Sequence, residues 1–94
     1  MNKKDNKLIA KAYVKARDLA VEGFITLHLF TLLRKEFTTI GEKDVDKVKF
    51  LTRLCEDTIR VRGYFNRHKE MVQPTNEYID RKVAEFEKER RKNE

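Results

Sequence analysis

The side chains in this sequence with the clearest capacity for chemistry are basic. Lys4, Lys7, Lys11 and Lys15 recur every three or four residues, so a helix would carry them as one stripe. Regularly spaced ammonium groups can follow an anionic backbone such as that of a nucleic acid. The commoner meaning of such a stripe is a solvated face that keeps a small protein dispersed. A second basic stretch, Arg60 to Lys69, contains Arg60, Arg62, Arg67 and Lys69 with no acid among them. Forked guanidinium groups suit phosphates, and the rings of Tyr64 and Phe65 could stack on unpaired bases. On the plainer reading Phe65 is core and the cations complement the dipole at a helix end. The candidate nucleic-acid- or partner-binding residues are therefore Lys4, Lys7, Lys11, Lys15, Arg60, Arg62, Tyr64, Arg67, His68 and Lys69.

Arg62 stands apart from the others. Helical spacing places it inside an apolar arc with Leu51, Cys55, Thr58 and Phe65. A buried, unpaired guanidinium is costly, so Arg62 must snorkel, pair with a carboxylate or meet an anionic partner.

Little else points to catalysis. His28 and His68 are isolated, and neither an HExxH spacing nor a Cys-x-x-Cys pair occurs, so no metal site is expected. The single cysteine, Cys55, falls on an apolar face, where cysteine acts as a small hydrophobe. There is no Gly-rich phosphate loop and no GxSxG elbow, and no acids form a distinctive pair in an apolar segment. The sequence thus implies no catalytic residues, no cofactor and a protein that is not an enzyme.

These side chains need elements to hold them. Only three glycines and one proline interrupt 94 residues, too few for the turns of a sheet protein. Charged residues reach 40 %, with a formal net charge of +6, yet three long segments keep apolar periodicity, which argues against a disordered chain. The first helix should begin near Asp5 or Asn6 and bury Leu8, Ile9, Ala12, Tyr13, Ala16, Leu19 and Ala20. Ala10, Val14 and Val21 are apolar on a further side, which implies a second neighbour. Gly23 marks either a break or a bend. A separate helix from about Phe24 to Thr38 would face the core with Ile25, Leu29, Leu32, Leu33 and Phe37, leaving His28, Thr31 and Lys35 opposite.

Gly41 suits the left-handed position after that helix. The third helix starts between Glu42 and Val45 and runs to about Tyr64, with Arg53–Asp57 and Glu56–Arg60 spaced to pair on its exposed face. Asn66 to Pro74 reads as a loop, and Thr75 as the cap of a last helix with a narrow seam of Tyr78, Ile79, Val83 and Phe86. From about residue 87 nothing apolar remains, so this charged end should fray or project into solvent.

The sequence therefore predicts an all-α fold: one domain over 1–94, a small bundle of three or four helices, with an intertwined homodimer as one way to cover its apolar faces. An intertwined chorismate mutase would need several inward Arg and Lys side chains, and only Arg62 faces inward here. A helix-turn-helix around Gly41 would point Glu42, Asp44 and Asp46 at phosphates. The expected function is that of a small non-catalytic regulatory or adaptor protein that binds a protein partner through its helices. The alternative is a basic nucleic-acid-binding protein that uses the lysine stripe and the Arg60–Lys69 segment. No secretory signal or membrane span is evident, and with one cysteine the expected setting is cytoplasmic.

Overall fold

A computed structural model describes residues 3–68 and 76–92, except for the side chains of Lys3 and of residues 64–68. The fold is all-α: α1 (Lys3–Val21), α2 (Leu27–Thr38), α3 (Val45–His68) and α4 (Asn76–Lys92). Successive helices run in opposite directions, so α1 and α3 are parallel neighbours. α2 packs against each of the other three helices.

Local chemistry sets the helix boundaries. α1 stops in a Schellman arrangement, with Phe24 N–H donating to Leu19 O at 2.8 Å and Gly23 N–H to Ala20 O at 3.1 Å. Gly23 occupies the left-handed position of this turn with φ +80°, so α1 and α2 are separate helices rather than one bent one. Thr26, not Phe24, begins α2, because its hydroxyl accepts from Leu29 N–H at 3.2 Å. At the other end of α2 the Thr38 and Thr39 hydroxyls donate to carbonyls of the last turn, and Lys43 Nζ donates to Phe37 O. Gly41 has φ +97° but lies in the connection beyond these caps rather than closing the helix itself. Asp44 starts α3 by accepting from Lys47 N–H at 3.1 Å. α3 continues to His68, past the end expected near Tyr64, so part of the expected Asn66–Pro74 loop is helical. The rest of that loop and the Thr75 cap lie outside the described residues.

The core draws Ile9, Ala12 and Ala16 from α1, Leu29 and Leu33 from α2, Val48, Leu51, Leu54 and Cys55 from α3, and Ile79 from α4. It closes within one chain, so no exchange of helices between copies is needed to bury it. Burying such side chains is the main stabilising term, at about 1.5–3 kcal/mol for each large one. Tyr13 of α1 stacks on Phe37 with centroids 4.4 Å apart and tilts against Phe30, which fixes α1 on α2. Phe50 stacks on Phe86 at 4.4 Å and joins α3 to α4.

Polar links also hold α4. Lys47 lies 3.8 Å from Glu36 of α2 and 3.5 Å from Glu87 of α4. Arg90 donates to Asp44 at 2.5 Å and sits over the Phe86 ring. The segment from Glu87 to Lys92 is therefore helical and tied to α2 and α3, where a projecting end was expected. His28, expected on an open polar side, instead meets Asp80 of α4 at 2.6 Å. The anticipated Arg53–Asp57 and Glu56–Arg60 pairs do not form either. Arg60 pairs with Asp57 at 2.9 Å, and Glu56 reaches across to Lys15 of α1 at 3.4 Å.

Candidate binding groove

The lysine stripe follows from the pitch of α1. Lys4, Lys7, Lys11 and Lys15 fall on a face next to the one that carries Ile9, Ala12 and Ala16 into the core. Because α3 runs parallel beside α1, its exposed edge lies alongside this stripe. Lys49 and Arg53 of α3 complete a groove of about 620 Å³ whose other wall is the four lysines. Leu8 and Ala12 of α1 and Thr52 of α3 also line it.

Electrostatics make the groove distinct. It has six cations and one carboxylate, Glu56, which Lys15 approaches at 3.4 Å. The net charge of the lining is therefore +5, nearly all of the +6 carried by the whole chain. Lys4, Lys7, Lys11, Lys49 and Arg53 have no ion-pair partner among the described residues. Their charges add to a positive field along one edge of the bundle. From Lys4 to Lys15 that edge extends about 16 Å, or three turns, at the helical rise of 1.5 Å per residue.

The other basic residues are arranged differently. Arg60 is exposed and engaged with Asp57 at 2.9 Å. Arg62 resolves its inward position by reaching back to α1, where Nη1 donates to Gly23 O at 2.9 Å. It supplies the cation that the last turn of α1 lacks, since no basic residue stands there. Its Nε is buried without a hydrogen-bond partner among the described residues. Arg62 is thus a clamp between α3 and the end of α1 rather than a free phosphate ligand. The side chains of Tyr64, Arg67 and His68, and all of Lys69, lie outside the described residues.

Sequence reasoning placed Arg53 on the exposed face of α3 but connected neither it nor Lys49 to the stripe. Their spacing of four shows that they share a face. Which helix that face borders is a matter of tertiary packing.

Beneath the groove, Ala12, Ala16, Thr52 and Cys55 border a small, partly open cleft of about 10 Å³, room for roughly one water molecule. Burial pushes the Cys55 thiol up to about 12, with Lys15 drawing it down and Glu56 adding to the rise. The thiol is therefore neutral at physiological pH and behaves as a small apolar side chain. No group of His, Cys, Asp and Glu among the described residues is arranged to hold a metal ion. No helix among them is long and apolar enough to cross a membrane. No known protein family matches the chain, and no curated protein or solved structure matches it.

Proposed function

We propose that this protein is a non-catalytic adaptor that receives an acidic amphipathic helix of a partner protein in the groove between α1 and α3. The observation that carries the reading is one lining with two characters: six cations at the rim, and Leu8 and Ala12 between them. An acidic amphipathic helix matches both, with carboxylates for the rim and an apolar stripe for the floor. A phosphate backbone would use the cations and leave the apolar floor unmatched. Among the described residues no aromatic ring lines the groove to stack on a base. The three-turn length of the lysine wall suits a partner helix of similar length. Self-association belongs to the same reading, because a homodimer would present two grooves to one partner and raise its avidity.

A nucleic-acid interface is the second reading, and the concentration of positive charge on one edge favours it. Arg60 lies on the same face of α3 as Lys49 and Arg53 by helical spacing, which extends that edge.

Fluorescence anisotropy distinguishes the two. The probes are a labelled acidic amphipathic peptide, a scrambled peptide of equal charge without an apolar stripe, and single-stranded and duplex oligonucleotides. The adaptor reading expects the amphipathic peptide to bind at least about tenfold more tightly than the scrambled one, since one or two buried apolar side chains supply that much. Lys49→Glu with Arg53→Glu should remove the binding while circular dichroism stays unchanged. Oligonucleotides that bind more tightly than either peptide, with affinity falling steeply as salt rises, would replace the adaptor with a nucleic-acid-binding protein.

A further inference from the structure

The outer face of α1 lies beyond the lysine wall, away from α2 and α3. Val14 is 43 % exposed and Val21 82 %, although both are apolar. Ala10, Val14 and Leu19 line a shallow depression there, flanked by Lys11, Lys15 and Asp18. The core is already closed, and nothing among the described residues covers this surface.

The charges along this face are segregated. Lys4, Lys7, Lys11 and Lys15 occupy the first part of α1, and Asp18 and Glu22 continue the same stripe at its end. Asp5 apart, this layout opposes the helix dipole, which favours acids near the N-terminus and cations near the C-terminus. Lys7, Lys11 and Glu22 have no ion-pair partner among the described residues, and Asp18 meets only its neighbour Arg17, at 3.6 Å. An isolated α1 gains nothing from such an arrangement. An antiparallel copy of the same helix would set Lys7 and Lys11 against Glu22 and Asp18.

We propose that a second copy of this chain docks antiparallel along the outer face of α1, about a two-fold axis beside Val14. With the axis there, Lys11 lies across from the partner's Asp18 and Lys7 across from the partner's Glu22. The symmetry repeats both pairs, so four ion pairs frame the contact. Ala10, a small side chain that allows close approach, lies within one turn of the partner's Val21. A parallel copy would set lysine against lysine and acid against acid, so the charge pattern selects the antiparallel dimer. The contact is one helix wide and framed by exposed pairs, which places its dissociation constant between micromolar and sub-millimolar. Lys7 and Lys11 also rim the groove, but the dimer does not depend on what the groove holds.

A charge-swap experiment tests this by sedimentation equilibrium on the full chain, with circular dichroism to confirm that each variant folds. The wild type should dimerise reversibly. Lys7→Glu with Lys11→Glu makes all four pairing positions acidic, and Asp18→Lys with Glu22→Lys makes all four basic. Each variant alone should self-associate at least about tenfold more weakly than wild type, since one exposed ion pair is worth up to about fivefold and four are replaced by repulsions. An equimolar mixture of the two should restore a heterodimer. Val14→Arg, at the axis, should be monomeric without any change at the acids. Lys49→Glu with Arg53→Glu, which abolishes the groove's ligand, should leave the dimer intact and so separates the two proposals. A wild type still monomeric at about 1 mM, self-association unaffected by either swap, or a mixture that stays monomeric would overturn the antiparallel dimer.

Discussion

Replacing Lys47 with Met should detach α4 more effectively than its charged surface implies. Lys47 Nζ lies 3.8 Å from Glu36 and 3.5 Å from Glu87, and the side chains of Lys47 and Glu36 are only 23 % and 13 % exposed. Met keeps the aliphatic stem and its packing but removes the charge, so two carboxylates are left facing each other. Truncating one partner of a fully buried pair costs about 3–5 kcal/mol, and a fully exposed pair contributes at most about 1 kcal/mol. With Glu87 more exposed than Glu36, the expected loss is about 2 kcal/mol. For a domain of this size that lowers the melting temperature by about 10 °C. Urea unfolding followed by circular dichroism gives the number, and an unchanged m-value confirms that the same two states are compared. Adding Glu36→Gln removes the buried repulsion and should recover about half of the loss, so the double-mutant cycle, with Glu36→Gln measured alone, reads a coupling of at least about 1 kcal/mol. If Lys47→Met falls within about 0.5 kcal/mol of wild type, the network acts only as a surface pair, and α4 is held by the apolar contacts of Ile79, Phe86 and Val83 with the Arg90–Asp44 and His28–Asp80 links.

Two further outcomes are expected. Gly23→Ala should destabilise by about 1–2 kcal/mol in thermal unfolding. The cost is backbone strain alone, because the left-handed turn penalises any Cβ while open space surrounds the site. Acid should loosen the contact between α3 and α4. Burial would raise the Asp44 carboxyl, but the Arg90 hydrogen bond, the Lys47 N–H and the charges of both hold it below its ordinary value. Its contribution is therefore complete above the ordinary carboxylate range and is lost as pH falls through the depressed value, below about pH 4. Asp44→Asn should flatten that part of the stability–pH profile.

The first three helices, their caps and most of their buried faces follow from local features. Apolar residues at helical spacing mark Ile9, Ala12 and Ala16, or Leu29 and Leu33, as inward-facing whatever they pack against. Gly23, Thr26 and Asp44 act through backbone groups within a few residues, so their roles are also written along the chain. The lysine stripe belongs to the same class, since a single helix suffices to align it.

Relations between helices were not legible in this way. Periodicity assigns a residue to a face but does not say which helix that face will border. Lys49 and Arg53 read as solvated charges until α3 lies parallel to α1 and brings them beside the lysines. Arg62 finds its acceptor 39 residues away at Gly23 O, a pairing created by the same parallel packing. Lys47, Glu36 and Glu87 sit on three different helices, so their meeting depends on how α2, α3 and α4 cross. The sequence by itself determined an all-helical chain with a basic first helix, because helical pitch and capping are short-range. Only tertiary structure decided that the charge of that helix becomes one wall of a groove, because convergence of side chains from distant positions depends on the packing of the helices that carry them.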